Sequence, residues 1–166
     1  MLKKALQVGL LSSGVMLAAL PQVQAEALTV DVSRVTLDVA NKVAMEAVKA
    51  CREKGIPISA TVVDRNGIVQ AQLRDTTAPP VSLSISQKKA YTAVMFNAKG
   101  SQLTRQAQGA LPTLGEGLAF MAGSVTIEGS GKLFGAIGVS GAPDGMVDEE
   151  CAAAGVKAVQ DDLDML

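Results

Sequence analysis

Histidine and tryptophan are both missing from these 166 residues. Without an imidazole the chain cannot build a Ser-His-Asp triad, a His-ligated zinc centre or a His-ligated haem. Aromatic residues number four, Tyr91, Phe96, Phe120 and Phe134. An excess of positive charge is lacking as well: 15 basic residues face 16 acidic ones, for a net charge of −1. Nucleic-acid binding, which calls for a basic face, is therefore not expected. No repeat or low-complexity linker interrupts the chain.

Long apolar runs are scarce too. The longest, "ALQVGLLSSGVMLAAL", is short and serine-broken for a bilayer span, so no stable membrane insertion is expected. It follows Lys3 and Lys4 and precedes "VQA", which gives residues 1–25 the three parts of a cleaved secretory signal peptide. No cysteine follows closely enough for a lipid anchor. The expected mature protein is a single domain over residues 26–166, with 13 basic and 16 acidic residues, placed in the periplasm. In that oxidising compartment Cys51 and Cys151, the two cysteines, admit two readings: one bridge between the first and last helices, or two small buried hydrophobes.

The segment "VSRVTLDVANKVAMEAVKACREKG" places Leu37, Ala40, Ala44, Val48 and Cys51 at helical steps and stops at Gly55-Ile56-Pro57. Two β-prone runs then flank Asp64-Arg65-Asn66-Gly67, an Asn-Gly hairpin signal. In the second run Val69, Ala71 and Leu73 alternate with Gln70, Gln72 and Arg74. A second helix is predicted through "SISQKKAYTAVMFNAKG", with Ser84 and Gln87 as a capping box and Gly100 at its end. Residues 101–122 read as short helical turns, broken by Gly109, Pro112, Gly115 and Gly117. A second hairpin turns at Gly129-Ser130-Gly131, and a last helix runs from about Val147 into an acidic tail. Helices flanking two hairpins predict an α+β domain with a largely antiparallel sheet in three layers.

Several stretches bear on chemistry. Gly135, Gly138 and Gly141 match no nucleotide-binding spacing, and Asp144, Asp148, Glu149 and Glu150 would repel a phosphate at the following helix start. "APDG", with Asp144, reads as a turn and Asp148, Glu149 and Glu150 as first-turn charges, and the spacing of these acids does not follow a calcium loop. Ser86 and Lys89 form an S-x-x-K match without the accompanying motifs of penicillin-recognising enzymes. They read as a serine near a helix start with exposed lysines one turn on. Tyr91 and Met95 share a helix face and can offer axial donors to iron, although core packing is the simpler reading. Arg74 and Asp75 can bind a polar ligand group or simply form a solvated loop.

Three pieces in order, "VVDRNGIVQAQLRD", "SISQKKAYTAVMF" and "GKLFGAIGVSG…DEECAAAG", resemble the GlcG/HbpS family of haem-binding and haem-degrading proteins, which includes the C-terminal domain of PduO. The resemblance implies a profilin-like (GlcG-like) domain with a five-stranded antiparallel sheet between helix layers, assembly as a homo-oligomer from dimer up to octamer, and haem or a related tetrapyrrole as ligand. Its motif positions fall on Asp64, Gly67, Arg74, Asp75, Lys89, Thr92, Gly138, Ser140 and Gly141. Where the family has a Gly-Gly-x-Pro turn near its pocket, this chain has Gly123-Ser124-Val125-Thr126. Ser124 and Thr126 therefore join the candidate ligand-binding residues Arg74, Asp75, Lys89, Tyr91, Thr92, Met95 and Ser140. Without histidine, haem would have to take tyrosine, methionine, threonine, lysine, cysteine or water as its iron ligand. The leading expectation is a secreted, oligomeric small-ligand-binding protein. The alternatives are a small-metabolite enzyme using Lys89 and the Arg74/Asp75 pair, or a structural or sensory accessory protein.

Overall fold

The computed structural model describes residues 28–166, within which Asp31–Leu166 forms one compact unit. The expected leader, residues 1–25, lies outside the described residues. No helix among the described residues is long and apolar enough to cross a membrane.

Helix α1 spans Leu37–Glu53. The Thr36 hydroxyl caps it by accepting from the Val39 amide at 3.4 Å, and Gly55 takes the positive φ of 73° that turns the chain away. Its predicted stripe is buried from Ala40 to Cys51, whereas Leu37 at the start is exposed.

Strands β1, Ser59–Asp64, and β2, Val69–Arg74, form the first hairpin. Its turn is longer than a two-residue Asn-Gly turn. Asp64 Oδ1 accepts from the amides of Asn66, at 2.8 Å, and Ile68, at 3.0 Å, and of the turn's residues only Gly67 takes a positive φ, 81°.

Helix α2 spans Val81–Phe96 and starts one turn before the predicted capping box. Pro80, with φ −55°, already has the backbone a helix entry needs, so Ser84 sits inside the helix and donates to the Val81 carbonyl at 3.0 Å. Asn97, at φ 47°, ends the helix, and Gly100 instead opens the 3-10 segment Gly100–Gln108. The short helix α3, Leu111–Leu114, follows.

Strands β3, Ser124–Gly129, and β4, Lys132–Ser140, make the second hairpin around Ser130 and Gly131. Helix α4, Gly145–Lys157, closes on α1, and the acidic tail forms the short helix α5, Gln160–Asp164, anchored by buried Leu163.

The sheet order is β2-β1-β4-β3, antiparallel throughout. It has four strands among the described residues, not the expected five. The connection between α2 and β3 has no β-branched run, and its glycines and Pro112 divide it into a 3-10 segment, a short helix and loops.

Alternation along the strands gives the sheet two unlike faces. Ala60, Val62, Ile137, Val139, Val125 and Ile127 face α1 and α4 in one apolar core. The opposite face presents Ser59, Thr61, Val63, Ala136 and Gly138 to α2. A side chain at Gly138 would lie 2.5 Å from the Ala90 amide nitrogen, so that helix seats directly on the strand. On the apolar face Cys51 of α1 and Cys151 of α4 are disulfide-bonded, with Cα atoms 5.6 Å apart and both side chains fully buried. Of the two sequence readings, the bridge between the helices is the one found.

Candidate functional site

Helix α2 runs between two cavities, each lined by a different strip of its surface. Ser84, Gln87, Lys88 and Tyr91 line one cavity of about 390 Å³, while Ile85 and Lys89 line another of about 380 Å³. Both are within the size range of small-molecule sites.

In the first cavity the Tyr91 ring lies between two backbone segments. A Cβ on Gly67 would sit 2.5 Å from Tyr91 Cδ2 and 3.1 Å from Met95 Cε, and one on Gly117 would sit 3.8 Å from Tyr91 Cδ1. The β1–β2 turn and the 115–118 loop thus clasp the ring by its two edges. The Tyr91 hydroxyl makes no hydrogen bond among the described residues, which leaves it as a donor at the cavity wall. Lys88 and Glu116 supply one charge of each sign, and the same two residues with Gly117 also line a more open neighbouring space of about 710 Å³. Thr92 holds the loop wall: its Oγ1 accepts from the Ala119 amide at 2.7 Å and donates to the Lys88 carbonyl at 2.8 Å. Met95 lies one turn beyond Tyr91 and is exposed.

On the other flank Lys89 is buried, which corrects its reading as an exposed lysine. Its ammonium donates to Asp148 Oδ2 at 2.8 Å and to the Val139 carbonyl at 3.0 Å, with both charged side chains 3% exposed. Burial pushes the Asp148 carboxyl above its ordinary value, against the opposing pull of Lys89 and of the Ala142 amide. Ser86 bonds to Thr61 and to the Leu83 carbonyl rather than to Lys89, so the S-x-x-K spacing makes no nucleophile pair.

The other acids around the start of α4 have separate partners. Asp144 caps α4 through the Met146 amide. Glu149 is buried and accepts from Ser101 N, Ser101 Oγ and Gly123 N, tying the 3-10 segment and the entry to β3 onto α4. Glu150 pairs with Lys54.

The remaining candidates are dispersed. Arg74 donates to the carbonyls of Thr76 and Ala78, and Asp75 takes a two-pronged contact from Arg52 at 2.7 and 3.0 Å. That guanidinium holds the Asp75 carboxyl below its ordinary value. Ser124 is buried with its hydroxyl unpartnered, and Thr126, two residues further along β3, is partly buried. Ser140 lines the second cavity. Among the described residues no cluster of three or more acids or cysteines could hold a metal ion. Sequence reasoning missed Lys88, Glu116, Gly117 and Asp148. Their contacts join segments far apart in the chain, and neither periodicity nor motif spacing records such pairs.

A mixed α+β domain, with paired helices on one face of an antiparallel sheet and ligand-sized cavities bordering the helix on the other, is the class defined by this architecture. A family model described as "Haem degrading protein HbpS-like" matches residues 35–157. HbpS of Streptomyces reticuli, solved as a double mutant, is 36% identical over 86% of this chain and 98% of that one, with a TM-score of 0.75. The ORFY protein of Klebsiella pneumoniae, of family DUF336, shares the fold at 23% identity, with 81% and 96% of the two chains covered and a TM-score of 0.76. The PduOC:haem complex does so at 23% identity, with 75% and 94% covered and a TM-score of 0.70. A search of curated proteins found no significant match. The chain belongs to the GlcG/HbpS family.

Proposed function

We propose that this protein is a secreted, periplasmic homo-oligomer that binds haem or a related tetrapyrrole in the cavity at Tyr91. Family membership and the haem complex of PduOC support haem as the ligand class. The observation that carries the site is the Tyr91 phenol, held between Gly67 and Gly117 at a cavity wall and free of any hydrogen bond among the described residues.

The residues present fit the group. Tyrosine is an established iron ligand, and it suits a chain without histidine. Lys88 can pair with a propionate, and the adjoining space across Gly117 gives room for a flat ligand larger than the first cavity alone. Bound haem would supply redox-active iron and an intense absorption band. The chain's own part is to offer the phenol oxygen, to fix the ring's orientation through the two glycines, and to hold the loop wall through Thr92.

The test is an absorption titration of the mature protein with haem at micromolar concentration. A Soret band with one-site saturation is expected, changed in position and weakened at least tenfold in affinity by Tyr91→Phe. No spectral change in excess protein, or an identical titration of the Phe variant, would remove the proposed site.

A further inference from the structure

The second cavity, of about 380 Å³, is separate from the proposed haem site, and its charged lining is Lys89 with two carboxylates, Asp144 and Asp148. Both oxygens of Asp148 are engaged, one by the Ala142 amide at 3.0 Å and the other by Lys89 at 2.8 Å. Asp144 is occupied as the cap of α4, where the helix dipole offsets its charge. What remains is donor capacity. An ammonium has three protons, and Lys89 uses two of them, on Asp148 and the Val139 carbonyl. Ser140 is 6% exposed, lines the cavity, and its hydroxyl has no hydrogen-bond partner among the described residues. That hydroxyl is not sealed off like Ser124 Oγ but stays open to the cavity, so it can donate to a molecule lodged there. Ile85, Phe120, Met121 and Ala122 make up the apolar part of the lining.

From this arrangement we infer that the cavity is a second ligand site, for a small uncharged molecule with one carbonyl oxygen on an apolar body. The oxygen accepts from Ser140 Oγ and from the remaining Lys89 proton, and the body packs on Phe120 and Met121. Anions are disfavoured by the two neighbouring carboxylates. A cation finds no deep acceptor left open, because Asp148 and the Val139 carbonyl are both taken.

The experiment uses three probes with the same ring and different heads: cyclohexanone, cyclohexanecarboxylate and cyclohexylammonium. Each is titrated into the uniformly ¹⁵N-labelled mature protein, and amide shifts are followed at Met121, Ala122 and Ala142. The ketone is expected to produce saturable shifts there, with the charged probes at least tenfold weaker. Ser140→Ala is expected to weaken the ketone about fivefold, the worth of one hydrogen bond. Ala122→Leu, which fills the apolar wall, abolishes the shifts while leaving distant amides in place. Absence of shifts with the ketone, tighter binding of either charged probe, or unchanged ketone affinity in Ser140→Ala overturns the inference. Haem titration of the same variants is independent of this result, since Tyr91 borders the opposite flank of α2.

Discussion

The two faces of the sheet solve the same packing problem with different chemistry. Against α1 and α4 the strands present a continuous apolar layer, and a buried disulfide fixes the two helices to each other. Against α2 they present hydroxyls that bond across the interface, Ser59 to Ser82 and Thr61 to Ser86, together with a buried ion pair at its edge. The first face needs no particular partner geometry beyond shape. The second holds α2 in one register, since a shift of the helix would break directional bonds and leave buried polar groups unpaired. That fixed register is what places Tyr91 against Gly67 on one flank and Lys89 beside Ser140 on the other. One face supplies stability, and the other sets the positions of the ligand-binding groups.

Lys89→Met breaks the comparison most severely. It leaves Asp148 buried without its cation and is expected to cost about 3–5 kcal/mol in urea denaturation, with much of the loss recovered in the Lys89→Met, Asp148→Leu double variant. Replacing both Cys51 and Cys151 by alanine is expected to cost roughly 2–4 kcal/mol, chiefly by releasing the unfolded chain. Because the bridge lies on the apolar face, ligand affinity at Tyr91 is expected to change less than twofold where the variant remains folded. Gly138→Ala acts on the α2 face. The new methyl meets the helix backbone, so about 1–3 kcal/mol of overpacking is expected, and α2 moves with its ligand groups. Here affinity falls along with stability, opposite to the cysteine variant.

Acid provides the smallest and most selective probe. Asp75, held low by Arg52, contributes stability above its unfolded value that is lost as pH falls through its folded value. Asp148, raised chiefly by burial, has the reverse sign: between its unfolded and folded values the unfolded chain loses the proton first, so its contribution declines as pH rises through that window. Urea midpoints measured against pH are expected to lose part of their acid-side fall in Asp75→Asn and to steepen it in Asp148→Asn.

The apolar face was legible in the sequence and the α2 face was only partly so. Ala40, Ala44, Val48 and Cys51 recur at helical steps, and Ala71 and Leu73 alternate with polar neighbours, so burial on that side leaves a periodic record. The motifs also located the family and both hairpins. The ion pair between Lys89 and Asp148 leaves no such record, because a buried lysine and an exposed one share the same helical spacing. The clasp of Gly67 and Gly117 on Tyr91 joins a turn and a loop whose approach depends on how α2 sits on the sheet. The fifth strand rested on resemblance alone, with no β-prone run behind it.

The division between a stabilising face and a binding face is tested most directly by mapping a bound tetrapyrrole on the protein. Gallium protoporphyrin, a diamagnetic stand-in for haem, is titrated into the labelled mature protein and amide shifts are assigned. The account predicts shifts concentrated at Gly67, Lys88, Tyr91 and the 115–118 loop, with α1 and α4 around the Cys51–Cys151 bridge unchanged. Shifts centred on α1 and α4, with the Tyr91 cavity silent, would contradict it.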